Sequence, residues 1–163
     1  MVVLVDQYTK HLVRQNIPLG ASRGPFPWLE PIITFTHVRN TGAAFGLFPN
    51  LSIVFVLIAL AVIVGIALYY RQLAQAAPLL PIALGLQLGG AAGNLIDRLS
   101  QGYVTDFLDL HVWPVFNVAD SAVVIGTALL AYYALFVDQP STANAPAPRH
   151  RAGEADAENP PTS

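Results

Sequence analysis

The chain has 163 residues, 54% of them apolar and 11% charged, with a formal net charge of −2 and a mean hydropathy of +0.51. Soluble domains carry about 25% charged residues, so this chain lacks the polar groups to cover a globular surface and reads as an integral membrane protein. The weak net charge supplies no basic field for a nucleic-acid partner, and the absence of cysteine excludes disulfides, thiol catalysis and Cys-based metal sites.

Residues 1–5 (MVVLV) are apolar but too short to span, and Asp6 follows at once. They have neither the basic start nor the apolar core of a signal peptide. Residues 1–16 read as the remnant of a helix whose earlier part is absent, with Asp6 and Lys10 spaced i, i+4 to pair on one face. Pro18, Gly20, Gly24, Pro25 and Pro27 then break regularity. The β-branched and aromatic run 32–38 (IITFTHV) predicts a short strand, and a second is expected over 103–110. Together they form a small sheet on one membrane face, a cradle over approximately 25–50 and 102–113.

A spanning helix needs about 20 mostly apolar residues. Residues 51–70, 78–96 and 115–137 meet that criterion. No Asp, Glu, Lys, Arg or His lies between Arg39 and Arg71 or between Arg71 and Asp97. The segment 78–96 is rich in Gly and Ala, which let helices approach closely, so it is expected to face protein more than lipid. After Val137 the composition shifts to Pro, Ala, Ser and Asn with the acidic run Glu154, Asp156 and Glu158. Residues 138–163 cannot bury enough apolar area to offset their ordering entropy and are expected to be a disordered tail.

Ionisable residues at a membrane helix are functional candidates by default. Asp120 lies near the start of the last span and Asp106 lies just past the preceding one. If those helices are neighbours, both carboxylates fall at the same membrane face. Two carboxylates a few ångströms apart do not both ionise cheaply, so one keeps a proton. Such a pair can activate a water, polarise a carbonyl and protonate a leaving amine. The plainer alternative makes Asp120 a helix N-terminal acid favoured by the macrodipole and Asp106 a solvated loop residue. Asp97 and Arg98 are expected to form a local ion pair, and Asp109 and His111 to face solvent. Asn40, Asn94 and Asn117 flank the spans, where their amides can bond substrate backbone or satisfy loop carbonyls. The sequence has no G-x-S-x-G and no H-E-x-x-H, and its four histidines are scattered. No metal site and no cofactor are expected.

Five stretches carry a family resemblance: D-Q-Y-T-K at 6–10, R-N-T-G-A-A-F-G at 39–46, G-N-L-I-D-R at 93–98, V-T-D-F at 104–107 and F-N-V-A-D-S at 116–121. In that order, on this hydrophobic layout, the chain resembles the lipoprotein signal peptidases (signal peptidase II), bacterial membrane aspartic endopeptidases. The resemblance implies a mainly α membrane protein, a four-helix transmembrane bundle with its first helix truncated in this chain and a small extracytoplasmic β-cradle. It places the catalytic pair on Asp106 and Asp120. Asp6, Lys10, Asn40, Gly42, Asn94, Asp97, Arg98, Asn117 and Ala119 match further motif positions and are expected to shape the site or position substrate.

The implied substrate is a diacylglyceryl-prolipoprotein, cut on the N-terminal side of its lipidated cysteine. The implied setting is the bacterial cytoplasmic (inner) membrane, crossed several times, with the active site at the extracytoplasmic face. Membrane lipids are the expected surroundings, and a monomer the expected state. That orientation places Lys10, Arg14, Arg23, Arg39 and Arg98 outside, against the positive-inside tendency. The competing function is a small transporter or channel component using the two aspartates as an ion or proton relay. Such proteins usually show repeats or broken helices at the membrane midplane, and no repeat is visible here.

Overall fold

The computed structural model describes residues 1–42 and 52–137. Four α-helices are α1 (Val2–Asn16), α2 (Ser52–Ala76), α3 (Leu79–Gln101) and α4 (Val118–Tyr132), the last continuing through a π-helical turn at Tyr133–Val137. The segments Ser52–Tyr70, Leu79–Gln101 and Val118–Val137 are long and apolar enough to cross a membrane. The expected tail over 138–163 and the expected cradle residues 43–50 lie outside the described residues.

Helix α1 is amphipathic in the inverted sense. Its buried positions are Asp6, Lys10 and Val13, at i, i+4 and i+7 on one face, while Leu4, Val5, Tyr8 and Leu12 are exposed. This is the pattern of a helix with apolar surroundings, which must turn its charges toward protein. Helix α2 is apolar all round, and only 6% of its spanning window is buried, against 39% for α3. Helix α3 is therefore the centre of the bundle, and its small residues explain how. A Cβ on Gly89 would stand 2.5 Å from Val2 Cβ, and one on Gly90 would stand 2.4 Å from the carbonyl oxygen of Ala119. The absence of side chains at these positions lets α1 and α4 lie against the α3 backbone.

Three short strands, β1 (Ser22–Arg23), β2 (Thr34–Asn40) and β3 (Val104–Asp109), form an antiparallel sheet in the order β1-β2-β3. Gly102 ends α3 in the left-handed conformation (φ 80°) with its amide donating to Arg98 O, a reversal that favours glycine and sends the chain straight into β3. Alternation along β3 then sorts its side chains. Phe107 packs on Val13 and Ile17 at the end of α1, whereas Asp106 lines the groove described below. The register shifts between Phe35 and Val38, after which Val38 opposes Asp106 and Asn40 opposes Val104. Asn40 and Asp106 are thus diagonal neighbours on one face of the sheet.

Element ends depart from the sequence expectation for local reasons. Ile32 and Ile33 donate their amides to Leu29 O in a turn, so β2 begins at Thr34 and runs on to Asn40. Helix α2 continues past Tyr70 to Ala76, through residues with good helix propensity. Helix α3 continues past Ile96 because Asp97 turns inward and does not mark an end. Phe116 pairs with Leu108, which delays α4 until Asn117 caps it.

Gly90→Ala is expected to destabilise the protein by about 1–3 kcal/mol, because the added methyl meets backbone and the two helices must separate. Gly65→Ala has nothing within 4 Å of its new methyl and is expected to be neutral or stabilising by up to about 1 kcal/mol. Thermal unfolding of both variants in one detergent checks the contrast.

Candidate active site

Two nested layers of side chains converge where α1, α3, β3 and the start of α4 meet. The deeper layer is charged. Asp6, Lys10 and Asp97 are each 0% exposed. Lys10 Nζ lies 2.9 Å from Asp6 Oδ2 and 3.1 Å from Asp97 Oδ2, and it donates its third bond to Asn94 Oδ1 at 2.9 Å. All three ammonium protons therefore have acceptors. The carboxylates are used to the full as well. Asp6 Oδ1 accepts the amide of Ala119 (3.0 Å), and Asp97 Oδ2 accepts the amide of Thr105 (3.0 Å). A Cβ on Gly93 would stand 2.5 Å from Asp6 Oδ2, so that glycine makes room for the cluster.

The outer layer holds Asp106 and Asp120, linked through asparagines. Asn117 Nδ2 donates to Asp106 Oδ1 at 2.7 Å and to Asn94 Oδ1 at 3.1 Å. Asn117 Oδ1 accepts the Asp120 amide, and Asp120 Oδ2 accepts the Asn117 amide in return. This reciprocal pair is a capping box at the start of α4. Asn94 Nδ2 donates to Asp120 Oδ1 at 2.7 Å, and Asn40 Nδ2 donates to Asp106 Oδ2 at 2.9 Å. Asn40 is itself oriented by the Gly42 amide, which donates to its Oδ1. Asp120 is thus both a helix N-terminal acid and a neighbour of the second carboxylate; the two readings of its position describe one arrangement.

Asp106 is 2% exposed. Burial first, and then the negative charge of Asp120, push its carboxyl up to about 7, against the opposing pull of the donors Asn40 and Asn117 and the charge of Lys10. A carboxyl that titrates near neutrality beside a second carboxyl can exchange a proton with a bound reactant.

Both aspartates open onto a groove of about 1150 Å³, whose walls include Phe55, Ile58 and Val62 of α2 and Val123 and Val124 of α4. Asn40, Gly42, Asn94 and Arg98 also line it, while Asp6, Lys10, Asp97, Asn117 and Ala119 stand behind its wall. Among the described residues no group of three His, Asp or Glu converges as metal ligands would.

The expected Asp97–Arg98 ion pair does not form. Adjacent helix residues point in different directions: Asp97 turns to Lys10, whereas Arg98 lies over the Phe55 ring, 5.0 Å from its centroid. Asp109 is less solvated than expected, because it accepts hydrogen bonds from Thr36 Oγ1 and the His111 amide. His111 is exposed as expected. The amides of the three asparagines bond the aspartates rather than loop carbonyls.

Sequence reasoning missed two members of the deeper layer. Gln7 Nε2 lies 3.0 Å from both Asp97 Oδ1 and Gly93 O, and Arg14 Nη1 donates to Thr105 Oγ1 at 3.1 Å while standing 3.9 Å from Asp97 Oδ1. The spacing of Arg14, four residues after Lys10 and eight after Asp6, was the available signal.

The family described as "Signal peptidase (SPase) II" matches residues 1–136. The lipoprotein signal peptidase of Moorella thermoacetica is 46% identical over 135 residues, covering 83% of this chain and 88% of that protein. That of Bacillus subtilis is 41% identical over 134 residues, covering 80% and 85%. A bacterial membrane enzyme solved by the in meso method at 2.3 Å resolution superposes with a TM-score of 0.76 at 32% identity, over 82% of each chain.

Replacing Lys10 by Met would leave two buried carboxylates without their cation. The expected loss is about 3–5 kcal/mol, and adding Asp6→Asn to the same chain is expected to restore part of it, because one uncompensated charge is then removed. Denaturation of the single and double variants measures the coupling.

Proposed function

The chain belongs to the signal peptidase II family, and on that premise we propose that it is a lipoprotein signal peptidase working as a membrane aspartic endopeptidase. The observation that carries the mechanism is the convergence of Asp106 and Asp120 on one groove, tied together through Asn117. The pair works with one shared proton, which we assign to Asp106, the more deeply buried member with a carboxyl pushed to about 7.

The ionised carboxylate takes a proton from a water as the water oxygen adds to the scissile carbonyl carbon, while the protonated carboxyl gives its proton to the carbonyl oxygen. In the resulting diol the C–N bond breaks. The leaving nitrogen takes the proton won from water, and a diol hydroxyl returns a proton to the other aspartate. The pair is back in its one-proton state, with an acid and an amine as products. Asn40, Asn94 and Asn117 hold the carboxyls and Gly42 orients Asn40, while Lys10 holds Asn94, Asp6 and Ala119 fix the α4 start, Asp97 fixes Lys10 and the start of β3, and Arg98 faces the bound substrate.

The substrates are diacylglyceryl-prolipoproteins, cut N-terminal to the lipidated cysteine. An apolar groove walled by two lipid-exposed helices suits an acylated peptide. The domain is residues 1–137, with residues 138–163 as an appended tail, and the protein acts as a monomer. The site faces the extracytoplasmic side. Four of the five basic residues there are engaged within the protein, since Lys10 and Arg14 face internal carboxylates and Arg39 and Arg98 lie over the rings of Tyr103 and Phe55.

Asp106→Asn and Asp120→Asn should each lower turnover by about 10²–10⁴, with the double variant little worse than either single and precursor binding retained. Asp109→Asn is expected to be near normal. Stable insertion of the Asp106 and Asp120 variants with near wild-type cleavage would refute the aspartic mechanism. Because catalysis needs the proton on Asp106, kcat/KM should fall as pH rises through about 7. Asn40→Ala removes a donor that favours the ionised form of Asp106, so the descending limb of its pH–rate profile should move to higher pH. Finally, two acyl chains anchor a peptide stably in a bilayer and deliver it oriented to the site. The same precursor without diacylglycerol is expected to be cleaved poorly under matched conditions.

A further inference from the structure

The polar residues lining the groove cluster at the dyad end, with one exception among the described residues. Gln87, Ala91, Asn94 and Arg98 follow one another at i, i+4, i+7 and i+11 along α3 and all line the groove. Gln87 stands seven residues before Asn94, which is about 10 Å deeper along the helix axis at 1.5 Å per residue. Its Nε2 donates to Thr127 Oγ1 at 2.6 Å and lies 3.4 Å from Val123 O. The Thr127 hydroxyl itself donates to Val123 O, so the carboxamide nitrogen faces α4. The Gln87 side-chain oxygen has no hydrogen-bond partner among the described residues, and Gln87 is only partly buried.

An amide oxygen without a partner is costly at hydrocarbon depth, and so is an unwound peptide backbone. Resting on the peptidase reading, the bound signal peptide supplies such a backbone. Its apolar part lies in the membrane, N-terminal to the cut, and the chain must be extended where it is hydrolysed. At about 3.3 Å per extended residue, a depth of about 10 Å corresponds to about three residues before the scissile bond. We propose that Gln87 is a substrate-positioning residue whose side-chain oxygen accepts a backbone N–H of the signal peptide near that position. Thr127 and Val123 take up the carboxamide nitrogen and leave the oxygen for the peptide, and the glutamine retains Val123 O when Thr127 is replaced.

The contact is remote from the reacting atoms and equal in ground and transition states, so its loss raises KM and leaves kcat. The test uses the full-length protein in one detergent–lipid mixture and a synthetic diacylglyceryl-lipopeptide as probe. Gln87→Leu is expected to raise KM about tenfold with kcat retained, whereas Thr127→Val, which removes the interhelical bond but keeps the glutamine, should change KM less than threefold. A series of lipopeptides with one backbone amide at a time replaced by an ester, over the residues before the cut, adds a readout on the wild-type protein itself. One position should cost the wild type about tenfold and cost Gln87→Leu nothing further. Equal losses for Gln87→Leu and Thr127→Val, or an ester series that affects both proteins alike, would make Gln87 a clamp between α3 and α4 and overturn the proposal. A wild-type protein that cleaves no lipidated precursor would instead refute the peptidase reading, and this inference with it.

Discussion

The arrangement depends on burying one cation between two anions. Lys10, Asp6 and Asp97 lie wholly inside the protein, and such a cluster is tolerated only when every charge is paired and every remaining lone pair is bonded. Meeting that demand sets the surrounding backbone. The Asp6 carboxylate needs a donor and takes the Ala119 amide, one of the free N–H groups of the first turn of α4. The Asp97 carboxylate takes the Thr105 amide and so fixes the first residues of β3. The two elements that carry Asp120 and Asp106 are thereby tied to the same lysine. Asn94 completes the link: because its oxygen accepts from Lys10, its nitrogen must point to Asp120.

Much of this was legible in the sequence. Long uncharged segments announced the spanning helices, and the glycine-rich one is indeed the segment packed most against protein. The i, i+4 spacing of Asp6 and Lys10 gave their contact, because pairing within a helix is a local property. The convergence of Asp106 and Asp120 was conditional on two helices being neighbours, and α3 and α4 are. What was not legible depends on the direction in which a side chain leaves its helix. Asp97 and Arg98 are adjacent in sequence and diverge in space. The asparagines offered several partners each, and only the placement of three helices and a strand selects one. Arg14 and Gln7 join the buried cluster only because α1 turns its polar side inward.

Polar side chains in this protein form a connected system, with each asparagine amide oriented by its neighbours. Asn117 gives both protons to oxygen acceptors and receives an amide N–H on its oxygen, which leaves no room for a flipped orientation. Gly42 plays the corresponding part for Asn40. Networks satisfied in this way resist rearrangement, since moving one member leaves a buried group without a partner. The carboxyls are therefore held by parts that are already in place before any substrate binds, which is the condition for electrostatic preorganisation.

The walls of the groove come from α2 and α4, yet α2 packs on α3 and has no extensive contact with α4. Only 6% of its spanning window is buried. The cleft is consequently flanked by a helix that packs on one neighbour and turns the rest of its apolar surface outward. A reactant that already resides in the bilayer approaches such a cleft sideways, by diffusion within a plane. Its encounter rate is then set by how many copies share each patch of membrane, so that adding inert lipid at constant bulk concentration slows the reaction simply by spreading the reactants over more surface.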